Sequence, residues 1–296
     1  VVIAQHHWPK WGNKEINTYL EKQRDAYKYI HDQTLNLANK GYTMNEIAEK
    51  IKLPDVLEQE WSLRGYYGSV NHDAKAVYQR YLGWYDSNPA NLNPLPPEEA
   101  SKKYVEVMGG SKSIIKKAKE SYAKGEYRWV AEVMSKVVFA DPNNKEAKNL
   151  EADALEQLGY QTENGTWRNN YLMGAYELRN GVVANTTSSA SPDTITAMTT
   201  DMLLDFMGIQ LNAEKAAGKK MVLNWEQPDT KEKYTITLEN SVLMYRKVDS
   251  FTNKADVTMS LPKTSLNNIL LKQTTMDKEI SEGRVKITGD RSKLQE

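Results

Sequence analysis

The chain has 296 residues, and its 39 Lys+Arg balance 39 Asp+Glu, so it carries neither the positive excess of a nucleic-acid binder nor the acidic excess of a disordered tail. Cysteine is absent and there are only four histidines, which excludes disulfides, Cys-based zinc sites and thiol nucleophiles. No apolar run approaches the roughly 18 residues of a membrane span, and the length predicts two or three domains rather than one.

The chain opens on Val1-Val2-Ile3-Ala4, which reads as a buried strand entered midway through a longer polypeptide, with no leader visible. His6-His7-Trp8-Pro9-Lys10-Trp11-Gly12 follows as irregular structure, because Pro9 and Gly12 break it. Asn13 is a candidate N-cap for a helix over about 14–40. Ile16, Leu20, Gln23, Tyr27, Ile30, Thr34 and Leu37 recur there at spacings of three and four, and Gly41 ends the run. Thr43-Met44-Asn45-Glu46 has the capping-box pattern before a short helix, and Pro54 stops it.

A further helix is predicted over 55–63. Next comes a turn-rich loop, Tyr66-Tyr67-Gly68-Ser69-Val70-Asn71, and then a helix beginning near His72, capped by Asn71. Val77, Tyr78, Tyr81, Leu82 and Tyr85 fall on one side of it. Four of the ten prolines lie in 87–97, which is irregular. From Pro97 to Leu178 the pattern is helical throughout, with helices over 111–124, 126–140 and 145–158 and a continuation over 159–179. The Asp141-Pro142-Asn143-Asn144 break and the small Ala131, Ala147 and Ala154 resemble a tetratricopeptide helix pair. Only about one and a half such units are visible, so a helical layer packed on something else is expected rather than a free solenoid.

Residues 182–191 are small and polar and read as a linker. Beyond them a helix over 192–209 precedes strands over 233–238, 241–246, 256–261 and 283–289, with a turn at Glu239-Asn240 and a helix over 265–271. Residues 192–296 therefore read as a separate α+β domain. The fold class is multi-domain: mostly α-helical, followed by α+β.

Three places are candidates for chemistry. His6, with His7 as the alternative, follows an apolar run and is placed to ligate zinc, although one imidazole is not a site and a plain surface or core histidine pair reads equally from spacing. The loop and helix from Tyr66 to Tyr81 offer Asn71, His72, Arg80 and Tyr81 for an anion at a helix N-terminus, against ordinary capping and aromatic packing. Met202, Leu203, Phe206, Met207 and Met221 offer a flexible apolar wall for a lipid between sheet and helices, against plain core.

The longer motifs reach further. His6-His7-Trp8-Pro9-Lys10-Trp11-Gly12-Asn13 resembles the end of the metallo-β-lactamase-fold domain of linear alkylsulfatases, zinc enzymes that hydrolyse alkyl sulfates such as dodecyl sulfate. Residues 67–89, Tyr67-Gly68-Ser69-Val70-Asn71-His72-Asp73 through Val77-Tyr78-Gln79-Arg80-Tyr81-Leu82-Gly83-Trp84-Tyr85 to Asn88-Pro89, are similar to the helical dimerisation domain of that family. Residues 256–261 with Glu282-Gly283-Arg284-Val285-Lys286-Ile287 and Gly289-Asp290 resemble its sterol-carrier-like C-terminal domain.

The resemblance implies four segments. These are the last strand and loop of an otherwise missing zinc domain (1–13), the dimerisation domain (14–181), the linker (182–191) and the sterol-carrier-like domain (192–296). It implies a sulfuric ester hydrolase with two zinc ions in the whole enzyme, of which this chain keeps at most one ligand, so the chain alone is expected to be inactive. By the motif match, His72, Arg80 and Tyr81 are sulfate contacts, with Asn71 and Tyr66 as weaker ones. Implied partners are a second copy through the helical domain, the missing zinc domain and an alkyl sulfate or other amphiphile. No nucleic acid and no transmembrane segment are expected, and a periplasmic or secreted location is. The alternative is a stand-alone dimeric lipid- or peptide-binding module without catalysis.

Overall fold

A computed structural model describes residues 1–184, 191–251 and 254–294. They fall into two compact units, Val1–Ala184 and Asn185–Glu296. The expected linker, 182–191, lies mostly outside the described residues.

In the first unit the opening residues do not form a buried strand. Val2 pairs with Lys10 in a single antiparallel bridge, while Val1 and Ile3 are largely exposed. The unit is otherwise helical, so no sheet is available to bury the run. Helix α1 (Asn13–Ala38) starts one residue earlier than expected, with Gly12 rather than Asn13 at the cap. It buries Ala26, Ile30 and Thr34, leaving Tyr27 in solvent. At its end Gly41 takes φ +88, the left-handed region that glycine enters without strain. Helix α2 (Met44–Lys50) carries the capping box: the Thr43 backbone N–H donates to the Glu46 carboxylate at 2.8 Å.

The helix predicted over 55–63 is shorter. It is α3 (Asp55–Glu58), followed by one 3-10 turn (Trp61–Leu63). Helix α4 (Val70–Leu82) begins earlier than expected. Its cap is Ser69, whose Oγ accepts the His72 backbone N–H at 3.2 Å, and not Asn71. The Asn71 amide instead donates to the Ala48 carbonyl at the end of α2, which removes it from capping. The apolar side of α4 is narrower than its spacing implies: Tyr78 and Ala74 are buried, while Tyr81 and Leu82 are exposed. Ile30, Ile47, Ile51, Ala74 and Tyr78 make the core that joins α1, α2 and α4.

Helices α5 (Pro97–Val107), α6 (Ser111–Ala123), α7 (Tyr127–Ala140), α8 (Lys145–Gln161) and α9 (Gly165–Asn180) form the second layer of this unit. Consecutive helices from α6 to α9 pack on one another, and Ile114, Ile115, Val130, Met134, Val137, Ala147, Leu150 and Ala154 make the core shared by α6, α7 and α8. Small residues let α7 and α8 approach closely, as the Ala147 and Ala154 positions imply.

The second unit is α+β. The helix expected over 192–209 is broken at Met198 into α10 (Pro192–Ala197) and α11 (Thr200–Gln210), because the Thr199 side chain caps a new helix start. A five-stranded sheet follows in the order β3-β2-β1-β4-β5. Its strands are β1 (Met221–Gln227), β2 (Glu232–Glu239), β3 (Val242–Lys247), β4 (Val257–Ser260) and β5 (Lys286–Gly289). Strands β1 and β4 are parallel and the other pairs antiparallel. The β2–β3 turn is Asn240-Ser241, both at positive φ as a tight hairpin requires, one residue beyond the expected turn.

Helices α12 (Lys263–Leu270) and α13 (Met276–Ser281) complete the unit. Its core gathers Leu203, Leu204, Leu223, Trp225, Tyr234, Ile236, Val257, Met259, Leu261, Leu266 and Val285. Within this unit Glu279, on α13, is 2% exposed. It is held by a bidentate Arg284 guanidinium at 2.6 and 2.7 Å and by the Ser265 hydroxyl at 2.7 Å, which depress its carboxyl to about 2.

Candidate functional site

A set of polar and aromatic contacts lies where the first turn, the 64–69 loop and the starts of α4 and α9 meet. The His6 ring stacks on Tyr67 with centroids 3.9 Å apart and planes 8° from parallel. The Tyr67 carbonyl accepts from the Asn164 amide at 2.5 Å and from the Thr166 hydroxyl at 3.2 Å. The Tyr66 carbonyl accepts the Gly165 backbone N–H at 2.9 Å. Asn164 also caps α9, its Oδ1 accepting from the Trp167 backbone N–H at 2.8 Å. The Trp167 indole N–H in turn reaches Nδ1 of His72 at 3.1 Å. One buried asparagine thus ties a loop nearly a hundred residues away in sequence to a helix N-terminus.

Asn164→Ala is expected to remove both the cap and the carbonyl partner. The loss is on the order of 2 kcal/mol, and urea unfolding monitored by Trp fluorescence measures it. A variant as stable as the parent would mean that water replaces the amide at no cost.

The residues predicted as one anion site do not all converge. His72 lies in this cluster. Tyr66 stands beside it but packs on Trp61 at 5.0 Å, with the Arg64 guanidinium 5.6 Å from its ring centroid. Arg64 is paired to Glu163 at 2.5 Å. Asn71 is turned toward α2. Tyr81 is exposed, and its hydroxyl meets Nε2 of His31 at 2.9 Å, while the other ring nitrogen of His31 meets Asp32 at 2.9 Å. Nine helical residues separate His72 from Tyr81, about half a turn around the axis and about 13 Å along it. Within this chain they therefore address opposite sides of α4. Arg80 is exposed in the last turn of that helix. Tyr67, which pairs with His6, was not among the residues singled out from the sequence. The signal was its place in the Tyr66-Tyr67-Gly68 loop.

A cavity of about 550 Å³ lies behind the same loop, between α1 and the start of α4. Ala26, Ile30, Ile51 and Val70 line its apolar side and Asp73 its polar side. Burial pushes the Asp73 carboxyl above the usual carboxylate range, against a weaker opposing pull from His72.

For zinc, the donor set here is small. No group of three or more His, Asp or Glu side chains that could hold a metal ion is present among the described residues. His7 lies beside Tyr19 at 6.4 Å, and its Nε2 is buried without a hydrogen-bond partner. Burial and the nearby Lys10 charge lower its pKa, which favours the neutral imidazole, the form that can ligate a metal.

In the second unit the apolar residues proposed as one wall separate. Leu203 is in the core and Met221 packs against it, whereas Met202, Phe206 and Met207 are exposed, along with Ile209. Helix α11 turns Leu203 and Leu204 toward the sheet, so the 202, 206 and 209 positions, at spacings of four and three, lie on its outer side.

The two units match two parts of an alkyl sulfatase: residues 43–181 match the alkyl sulfatase dimerisation domain and 188–296 the alkyl sulfatase C-terminal domain. Among curated relatives, a linear primary-alkylsulfatase from Pseudomonas sp. is 54% identical over the whole chain. The alkyl/aryl-sulfatase BDS1 of Saccharomyces cerevisiae is 51% identical over the same span. The solved structure of the stereoselective inverting sec-alkylsulfatase Pisa1 from Pseudomonas sp. is 48% identical over 98% of this chain and 46% of its own, with a TM-score of 0.94. The chain belongs to the alkylsulfatase family. It spans 44–45% of the length of the two curated relatives.

Proposed function

We propose that the chain works as the dimerisation and C-terminal part of a zinc-dependent alkylsulfatase that hydrolyses alkyl sulfate esters such as dodecyl sulfate. The observation that carries this reading is the 54% identity with a linear primary-alkylsulfatase over every part of the chain. The locked cluster of His6, Tyr67, His72 and Trp167 supports it, because it brings the candidate zinc ligand and a candidate sulfate contact to the same loop. In this reading the remaining zinc ligands come from outside the chain, and His6 or His7 adds one imidazole. His72 contributes an N–H donor to the sulfate. Tyr81, on the other side of α4 from His72, meets the ester only through a different surface or a partner copy, whereas Arg80, eight residues on, stays within about a quarter turn of His72 and lies about 12 Å further along the helix.

The helical unit would pair with a second copy of itself, since helical layers with exposed apolar faces bury them in symmetric dimers. The outer face of α11, with Met202 and Phe206, would gather the alkyl tails of the substrate. The whole enzyme would act in the periplasm or outside the cell, where such amphiphiles are met. Incubated alone with zinc and an alkyl sulfate, the chain is expected to release no sulfate, and its native mass is expected to be that of a dimer. Zinc-dependent turnover by the chain alone would overturn this division of labour.

A further inference from the structure

His72 is exposed on the first turn of α4, and among the described residues only one of its ring nitrogens is engaged, by the Trp167 indole. An indole nitrogen is a donor and never an acceptor, whereas a neutral imidazole has one donor and one acceptor. The 3.1 Å contact therefore makes Nδ1 the acceptor and leaves the proton on Nε2. A proton on Nδ1 would set two N–H groups against each other and break the contact.

The indole itself has little freedom. Its residue's backbone is bonded to Asn164, and its ring meets Tyr171 edge-on with centroids 6.5 Å apart.

We propose that Trp167 is a positioning residue: its indole N–H locks His72 in the Nε2–H tautomer, so that a single fixed N–H donor faces the oxygens of a sulfate ester. The proposal rests on the reading of His72 as a sulfate contact and adds the residue that prepares it. A donor already oriented needs no tautomer exchange or ring rotation when the anion arrives, which is the advantage of preorganised polar groups. Trp167 comes from α9, 95 residues beyond His72. The contact therefore also reports whether the α9 start is docked on the 66–67 loop.

The test uses the whole chain labelled with 15N-histidine at pH 8, where four histidines give few resonances and His72→Asn assigns the one in question. The expected spectrum has His72 Nδ1 unprotonated and Nε2 protonated, with an Nδ1–H form appearing in Trp167→Phe, which keeps the aromatic packing. A protonated Nδ1 in the parent, or a His72 spectrum unchanged by Trp167→Phe, would overturn the proposal, and the parent spectrum decides even if the variant folds poorly. Inorganic sulfate is then titrated into the parent. Movement of the Nε2 resonance supports the sulfate reading, with affinity weakened about twofold in Trp167→Phe as the competent tautomer is diluted. A locked tautomer with no response to sulfate would overturn the sulfate reading while leaving the tautomer lock established.

Discussion

Glu151→Met is expected to stabilise the helical unit by roughly 2–3 kcal/mol at pH 8 and by little at pH 5. Glu151 lies on α8 between Ala147 and Ala154, on the side of the helix that carries Leu150 into the core. One of its carboxylate oxygens is buried without a hydrogen-bond partner. Burial alone pushes its pKa up to about 7 from 4.5. The sign follows from which state holds the proton. Below pH 4.5 the group is neutral whether the chain is folded or not. Between 4.5 and about 7 the unfolded chain ionises first, so stability falls as pH rises. Above about 7 the folded chain carries the buried charge and the penalty is complete.

The gain is smaller than the whole pKa change would supply, because part of the Glu151 side chain still meets solvent. Methionine has similar length and an apolar, adaptable end, so it removes the charge with little disturbance of packing. Urea unfolding at the two pH values checks this. A variant no more stable than the parent at pH 8 would mean that a cation meets Glu151 in solution, across the proposed dimer for example, and that the carboxylate is part of that contact.

Gly289→Ala is expected to cost the C-terminal unit on the order of 3 kcal/mol, because two effects add. Gly289 pairs with Val257 at the end of β5 and takes φ +94, a conformation that side chains other than glycine rarely adopt. A Cβ there would also stand 2.3 Å from the Asp256 carbonyl oxygen, a backbone atom that cannot rotate away. Relief requires β5 to leave β4, which removes the edge pairing. Gly283→Ala separates the two effects: its φ is +73, yet nothing lies within 4 Å of the added carbon. Calorimetry should show a distinctly smaller loss for Gly283→Ala than for Gly289→Ala. Equal losses would mean that β5 shifts without cost and that only the backbone conformation matters.

Much of the local structure could be read from neighbouring residues. The Thr43–Glu46 box, the left-handed Gly41 and the period of the helices from α6 to α8 are interactions within a turn or two, so their residues carry the whole signal. The family could be read as well, because the 67–89 motif is long and contiguous. Strand β1 was not recognised. Leu223, Asn224 and Trp225 are buried in succession, so it lacks the clear alternation of a half-exposed strand. Helix α13 is six residues long, too short to show a period. The choice of Ser69 over Asn71 as the cap of α4 was decided by α2, whose Ala48 carbonyl takes the Asn71 amide.

The candidate site divides along the same line. Sequence by itself determined the residue types that could serve an anion or a metal, and the helix that carries His72, Arg80 and Tyr81, since composition and period are properties of the chain. Only the tertiary structure decided which of them meet. It stacks His6 on Tyr67 across 61 residues, sets Trp167 against His72 across 95, and sends Tyr81 to His31 on the opposite side of α4. It also separates the exposed Met202 and Phe206 from the buried Leu203 beside them. The physical reason is that helical spacing fixes the angle of a side chain around its own axis, whereas its partner is chosen by how distant segments pack, and that packing has no trace in local spacing.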